Sequence, residues 1–166
     1  MTQTGYDALV IGAGAAGLMC ALTAGQRGRR VLLIDHNPEP GRKILISGGG
    51  RCNFTNLHTA PDRYLSANPH FAKSALGRYS QLDFLALVER HGIAWHEKTL
   101  GQLFCDGSAR QVVDLLLEEC RAGGVELALG DAVRDLGHGD GQFRAVLGAR
   151  TVCAPALVIE IGRAHV

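Results

Sequence analysis

The sequence is poor in aromatic residues, which make up 5% of it, and only three of its 17 basic residues are lysines (Lys43, Lys73 and Lys98). Arginine, alanine and glycine stand in their place, the usage of a GC-rich genome. An excess of one charge is also missing. The 17 basic and 16 acidic residues are interspersed and leave a formal net charge of +1. Such a balance offers no broad basic face for a nucleic acid and no polybasic patch for an acidic membrane.

No CxxC pair occurs, and the five cysteines (Cys20, Cys52, Cys105, Cys120 and Cys153) are widely spaced. This argues against a zinc ribbon or a thioredoxin-type dithiol, and for a reducing cytoplasm. The seven histidines show no ligand spacing, and His96-Glu97 lacks the second histidine of a HExxH site. No window approaches 18 apolar residues, which excludes a membrane-spanning helix from the expectation. The opening MTQTGYDALVIG has neither the basic start nor the long apolar core of a signal peptide.

Glycine is what the chain has in quantity, with 22 residues. At 166 residues, 46% hydrophobic and 20% charged, it has the composition of one globular domain able to bury a core without staples.

The order of apolar runs predicts an α/β fold. Tyr6 to Ile11 reads as a buried parallel strand, Ala15 to Arg27 as a helix closed by Gly28, and Arg30 to Ile34 as a second strand. This is a βαβ unit, with small residues at Ala21 and Gly28 expected where its helix meets the sheet. Residues 37–68 read as a long loop. A helix follows Ser80 and ends at Gly92, residues 94–97 form a short strand, and Ser108-x-x-Gln111 marks a capping box for a helix through Arg121. Residues 125–129 give another strand, and three short runs with Gly-rich turns predict an antiparallel meander. The run PALVIEI is expected to return to the parallel sheet.

The first chemical motif is Gly12-Ala13-Gly14-Ala15-Ala16-Gly17, placed between a strand and a helix. Gly12 allows the tight turn, Gly14 lets the backbone approach a pyrophosphate, and Gly17 lets the helix lie close to the sheet. The helix start offers free N–H groups to that anion. Asp35 follows at the end of the next strand, placed for ribose hydroxyls, with His36 beside it. The motif fits FAD and NAD alike, while an acid at position 35 argues against NADP as the dinucleotide held there.

The second motif is KILISGGGRCNFTN, residues 43–56. Taken alone it reads equally as a flexible turn. Its place after the second strand sets it beside the reactive end of a dinucleotide, where side-chain-free residues admit a flat ring. Ser47, Arg51 and Asn53 could supply hydrogen bonds or charge there. Arg51 could lower the pKa of Cys52. A dithiol relay would need a second cysteine, and Cys105 is distant in sequence. No His–Asp arrangement can be placed beside Cys52, so its expected role is to line the cofactor.

With VIGAGAAGLMCAL, GRKILISGGGRCNFTN and LGQLFCDGSARQVVDLLLEEC, the chain resembles the glutathione-reductase-like FAD fold and, more narrowly, the BaiN-like group of NAD(P)/FAD-dependent flavoproteins. The resemblance implies a Rossmann-like domain with a parallel sheet and a small antiparallel meander. It implies that the residues from Gly12 to Gly17 hold the FAD pyrophosphate and Asp35 the ribose. Lys43 and the stretch Ser47, Gly48, Gly49, Gly50, Arg51, Cys52 and Asn53 would line the flavin, and Ala132-Val133 would meet the adenine. NAD(P)H would be a co-substrate of the longer parent.

Two departures stand out. Members of that group are usually more than twice as long, so a substrate domain is expected to be absent here. ALVIEIG also stands where relatives read something like ALVIATGG. Residues 161–166, IGRAHV, can be encoded by ATC GGA AGA GCA CAC GTC, the start of a common sequencing adapter, and are expected to be a non-native tail after an FAD-binding portion at 1–160.

The expected function is therefore the FAD-binding portion of a cytoplasmic flavoprotein oxidoreductase. It would pass electrons between NAD(P)H or oxygen and a small organic substrate, with no nucleic acid or membrane partner, and the fragment alone would be inactive. An NAD-dependent dehydrogenase domain is one alternative. A non-catalytic or RNA-modification-associated flavin module is another.

Overall fold

A computed structural model describes residues 3–160, so the expectation of a foreign tail at 161–166 lies outside the described residues. The chain divides into two units, one of residues 3–43 and 116–160 and one of residues 44–115. Its elements run β1 (Gln3–Gly5), β2 (Ala8–Ile11), α1 (Ala15–Gln26), β3 (Val31–Asp35), α2 (Arg42–Ile46), β4 (Asn53–Asn56), α3 (Lys73–Arg78) and α4 (Gln81–Arg90). Then come β5 (Trp95–Glu97), β6 (Gln102–Cys105), α5 (Arg110–Ala122), β7 (Glu126–Leu129), β8 (Val133–Gly139), β9 (Gln142–Leu147), β10 (Arg150–Ala154) and β11 (Ala156–Ile159).

In the first unit, β2 and β3 are short apolar runs, as strands covered on both faces must be. They form the middle of a fully parallel sheet ordered β11-β2-β3-β7. Leu9, Leu32 and Ile34 face a second sheet and share a core with Ala145, Leu147, Val152 and Ala154. Val10 alternates to the other face, against α1. The second sheet is the expected antiparallel meander β8-β9-β10, joined by β1, which pairs parallel with β10. The run from Tyr6 is therefore not one strand. The Tyr6 N–H donates to the Cys153 carbonyl at 2.9 Å, whereas the Asp7 N–H donates to the Arg30 carbonyl at 2.8 Å, so the chain changes sheets between them.

Helix α1 ends in a Schellman motif. The Arg29 N–H donates to the Ala24 carbonyl at 3.1 Å and the Gly28 N–H to the Gly25 carbonyl at 2.8 Å. Gly28 closes the helix as expected, yet it is exposed, with a left-handed φ and nothing within 4 Å of the position its Cβ would take. The close-packing seam lies instead at Gly17 and Gly25. A Cβ at Gly25 would come within 2.6 Å of the Gly123 carbonyl oxygen.

The second unit holds an antiparallel sheet ordered β4-β6-β5. The segment 37–68, expected to be loop, contains α2 and β4. The sequence NFTN of β4 is too polar to announce a strand, and it forms by pairing with the apolar β6. The capping box of α4 is complete: Ser80 Oγ accepts the Asp83 N–H and the Asp83 carboxylate accepts the Ser80 N–H at 2.7 Å. The Ser108–Gln111 box forms in part. Gln111 Oε1 accepts the Ser108 N–H at 3.1 Å, while Ser108 Oγ accepts from Arg110. Among the described residues, no helix is long and apolar enough to cross a membrane.

Candidate functional site

In the first unit, β2 ends in a turn that no larger residue could make. Gly12 has φ +110°, and a Cβ there would overlap the Glu160 carbonyl oxygen at the end of β11. A Cβ at Gly17 would overlap the Gly12 carbonyl oxygen, so α1 begins in direct contact with the turn. Gly14 is different: it is exposed, and nothing lies within 4 Å of the position its Cβ would take. Ala15 and Ala16 are also exposed, while Ala13 and Gly17 are buried. Gly14 caps α1 without any side-chain hydrogen bond, and the first turn carries no acid. The N-terminal amides of α1 thus face open space with their partial positive charge uncancelled, an arrangement suited to an anion.

Asp35 is tied into this turn. Its Oδ2 accepts the Ala13 N–H at 2.7 Å, and its Oδ1 accepts the Asn37 N–H at 2.8 Å and the Asn37 amide at 3.1 Å. A carboxylate oxygen has two lone pairs, so Oδ2 keeps one acceptor position. His36 is exposed, with Nδ1 3.4 Å from Asp35 Oδ1. The link between β7 and β8 is bonded to the same place: the Gly130 N–H donates to the Asn37 carbonyl at 3.0 Å and the Asp131 N–H to the Asp35 carbonyl at 3.1 Å. Ala132 and Val133 follow directly. The first unit therefore brings together Gly12 to Gly17, Asp35, His36 and Ala132-Val133.

The second unit fixes the triple-glycine run. Ser47 to Gly50 form a tight turn in which Gly48 and Gly49 have φ +57° and +68°. A Cβ at Gly48 would lie 2.6 Å from the Phe104 ring and 2.9 Å from the Asn53 nitrogen. The Cys52 N–H donates to the Ser47 carbonyl at 3.1 Å, Cys105 to Arg51 at 3.0 Å and Ala109 to Gly50 at 2.7 Å. The run is a built turn and not a soft linker. Gly48, Gly49, Arg51 and Asn53 are exposed, Ser47 and Gly50 are half-buried, and Lys43 is exposed on α2.

At Cys52 the lowering of the pKa that Arg51 could have caused is not found. Cys52 is buried with a left-handed φ of 53°, and burial pushes its thiol up, with the Ser47 hydroxyl beside it acting in the opposite sense. Arg51 is exposed and does not contribute. Cys105, distant in sequence, is a spatial neighbour: burial, the Cys52 thiol and Asp106 together push it up to about 11. The second unit also contains a His–Asp pair that the sequence spacing concealed. His96 Nδ1 lies 2.6 Å from Asp106 Oδ1, and the His96 ring lies nearly parallel to that of Phe104. Ten residues separate the pair, and the pairing of β5 with β6 brings them together.

A model of the HI0933-like protein Rossmann domain matches residues 6–166. A ribosomal RNA dihydrouridine synthase of Escherichia coli is 59% identical over 157 residues, covering 95% of this chain and 39% of that protein. A 3-dehydro-bile acid delta(4,6)-reductase of Clostridium scindens is 30% identical over 131 residues, covering 76% and 32%. The chain thus spans well under half the length of these relatives. Among solved structures, a glycine oxidase from Geobacillus kaustophilus superposes with a TM-score of 0.65 at 15% identity, covering 94% of this chain and 55% of that one. The halogenase PltM, in complex with phloroglucinol and FAD, gives 0.56 at 16% identity, covering 94% and 34%. These likenesses establish the expected Rossmann-like fold.

Proposed function

Because the chain belongs to the HI0933-like Rossmann-domain family, the broader group in place of the narrower BaiN-like one, we propose that it is the FAD-binding part of a flavoprotein reductase acting on uridine in ribosomal RNA. The observation that carries this reading is the 59% identity to a ribosomal RNA dihydrouridine synthase. The bile acid reductase supports the reaction class, since both names describe adding hydrogen across a carbon–carbon double bond or forming its saturated product.

The turn fits the cofactor. The space open at Gly14 and the uncapped start of α1 suit a pyrophosphate, and the free lone pair of Asp35 Oδ2 suits a ribose hydroxyl. His36 and Ala132-Val133 suit the adenine, and it is the family resemblance that assigns Lys43 and Ser47 to Asn53 to the ring. Bound FAD would supply hydride transfer from NAD(P)H to an electron-poor double bond. The residues of this chain hold and orient it. This reading puts an RNA substrate in place of the small organic one that the family resemblance implied, and against the expectation from composition of no nucleic-acid partner. With a net charge of only +1 here, the main grip on RNA falls to the part of the protein outside this chain. Five cysteines, none of them in a disulfide, suit a cytoplasmic enzyme.

Ribosomal RNA from cells lacking the gene should carry uridine where the parent strain carries dihydrouridine, with the complementing gene restoring it. Dihydrouridine unchanged by the deletion would overturn the reading.

A further inference from the structure

The second unit carries a His–Asp pair, His96 with Asp106, that cofactor binding does not use. In the register of the β4-β6-β5 sheet, Phe104 pairs with Asn53 on one side and with His96 on the other. Directly paired residues present their side chains to the same face, so Asn53, Phe104 and His96 form one row. The Phe104 ring is also the surface on which Gly48 closes. The His96 and Phe104 planes lie within 17° with centroids 6.1 Å apart, and the Lys98 ammonium sits 5.1 Å from the Phe104 centroid. The glycine turn and the His96–Asp106 pair therefore share a single aromatic side chain.

Asp106 fixes the imidazole. An ionised carboxylate only accepts hydrogen bonds, so the 2.6 Å contact places a hydrogen on His96 Nδ1 and leaves Nε2 to give up and regain a proton. Asp106 is itself anchored by its N–H to the Ala94 carbonyl at 2.9 Å. The His96 side chain is 43% exposed, open to substrate and water.

We infer that His96, oriented by Asp106, is the proton donor of the reductive step. This rests on the proposed reduction of a carbonyl-conjugated double bond. The hydride supplied by NAD(P)H adds to the carbon remote from the carbonyl, and the π pair shifts onto the carbonyl oxygen. The adjacent carbon then takes the proton from His96 Nε2, the carbonyl re-forms, and the neutral imidazole is reprotonated by water. Lys98 keeps the same face cationic while the oxygen bears charge. The thiols of Cys52 and Cys105, also near the turn, are buried away from the water that would reload them.

The test uses the whole holoenzyme under anaerobic stopped flow. In His96→Ala, cofactor reduction by NAD(P)H should keep its wild-type rate, while reoxidation by a ribosomal RNA transcript should fall roughly 10²-fold or more. Added imidazole should restore part of it. A proton NMR spectrum should show a hydrogen-bonded Nδ1 proton that Asp106→Ala removes. Undiminished reoxidation in His96→Ala, or no such resonance in the wild type, overturns the assignment of His96. A wild-type enzyme that RNA does not reoxidise overturns the functional reading and the assignment with it.

Discussion

Asp35 Oδ2 accepts the Ala13 N–H at 2.7 Å, which ties the end of β3 to the glycine turn after β2. The acid expected to meet a ribose is thus also a strut of the pyrophosphate turn. Asp35→Ala should lose both roles and weaken FAD binding by about 10- to 100-fold, equivalent to about 1.4–2.7 kcal/mol. Equilibrium titration of the whole protein with FAD checks this.

Gly12 and Gly14 belong to one motif but answer to different demands. Gly12→Ala forces a Cβ into the Glu160 carbonyl at a φ of +110° and should lower the melting temperature with or without ligand. Gly14→Ala puts its Cβ where nothing lies within 4 Å, so it should melt near the wild type and lose FAD affinity. Thermal melts with and without FAD separate the two.

The triple-glycine turn makes a similar contrast. Gly48→Ala should destabilise the second unit well beyond the about 1–2 kcal/mol of a left-handed non-glycine residue, since its Cβ also strikes Phe104 and Asn53. Gly49→Ala, with nothing within 4 Å, should cost only that backbone term. Urea unfolding of the two variants gives the difference.

How much of this was legible follows from what each segment depends on. The βαβ unit and the meander were readable because β2, β3 and the Gly-rich turns carry their signals locally. The second unit was not, because β4 is polar and becomes a strand only by pairing with β6. For the same reason Cys105 looked remote from Cys52, and His96 from Asp106. The glycine motif announced its own turn, whereas Gly130 and Asp131 bonding back to Asn37 and Asp35 required the fold.

Alkaline stability is a further consequence of the buried thiols. Burial pushes Cys105 and Cys120 up to about 11 from an ordinary 9.0, helped at Cys105 by the Cys52 thiol and Asp106 and opposed at Cys120 by a backbone hydrogen bond. Below pH 9.0 both are protonated whether the chain is folded or not. Between there and about 11 the unfolded chain releases protons that the folded chain retains, so stability falls as pH rises, by on the order of 1–3 kcal/mol per thiol. Cys120→Ala should flatten that fall in a melting-temperature profile, even if its baseline is lower.

The central claim is tested most directly by purified whole protein carrying FAD, mixed with NAD(P)H and an unmodified ribosomal RNA transcript. The account predicts absorbance near ~450 nm that bleaches and returns, and one uridine heavier by two hydrogens in the mass spectrum. A flavin that NAD(P)H reduces while the RNA mass stays unchanged would contradict it.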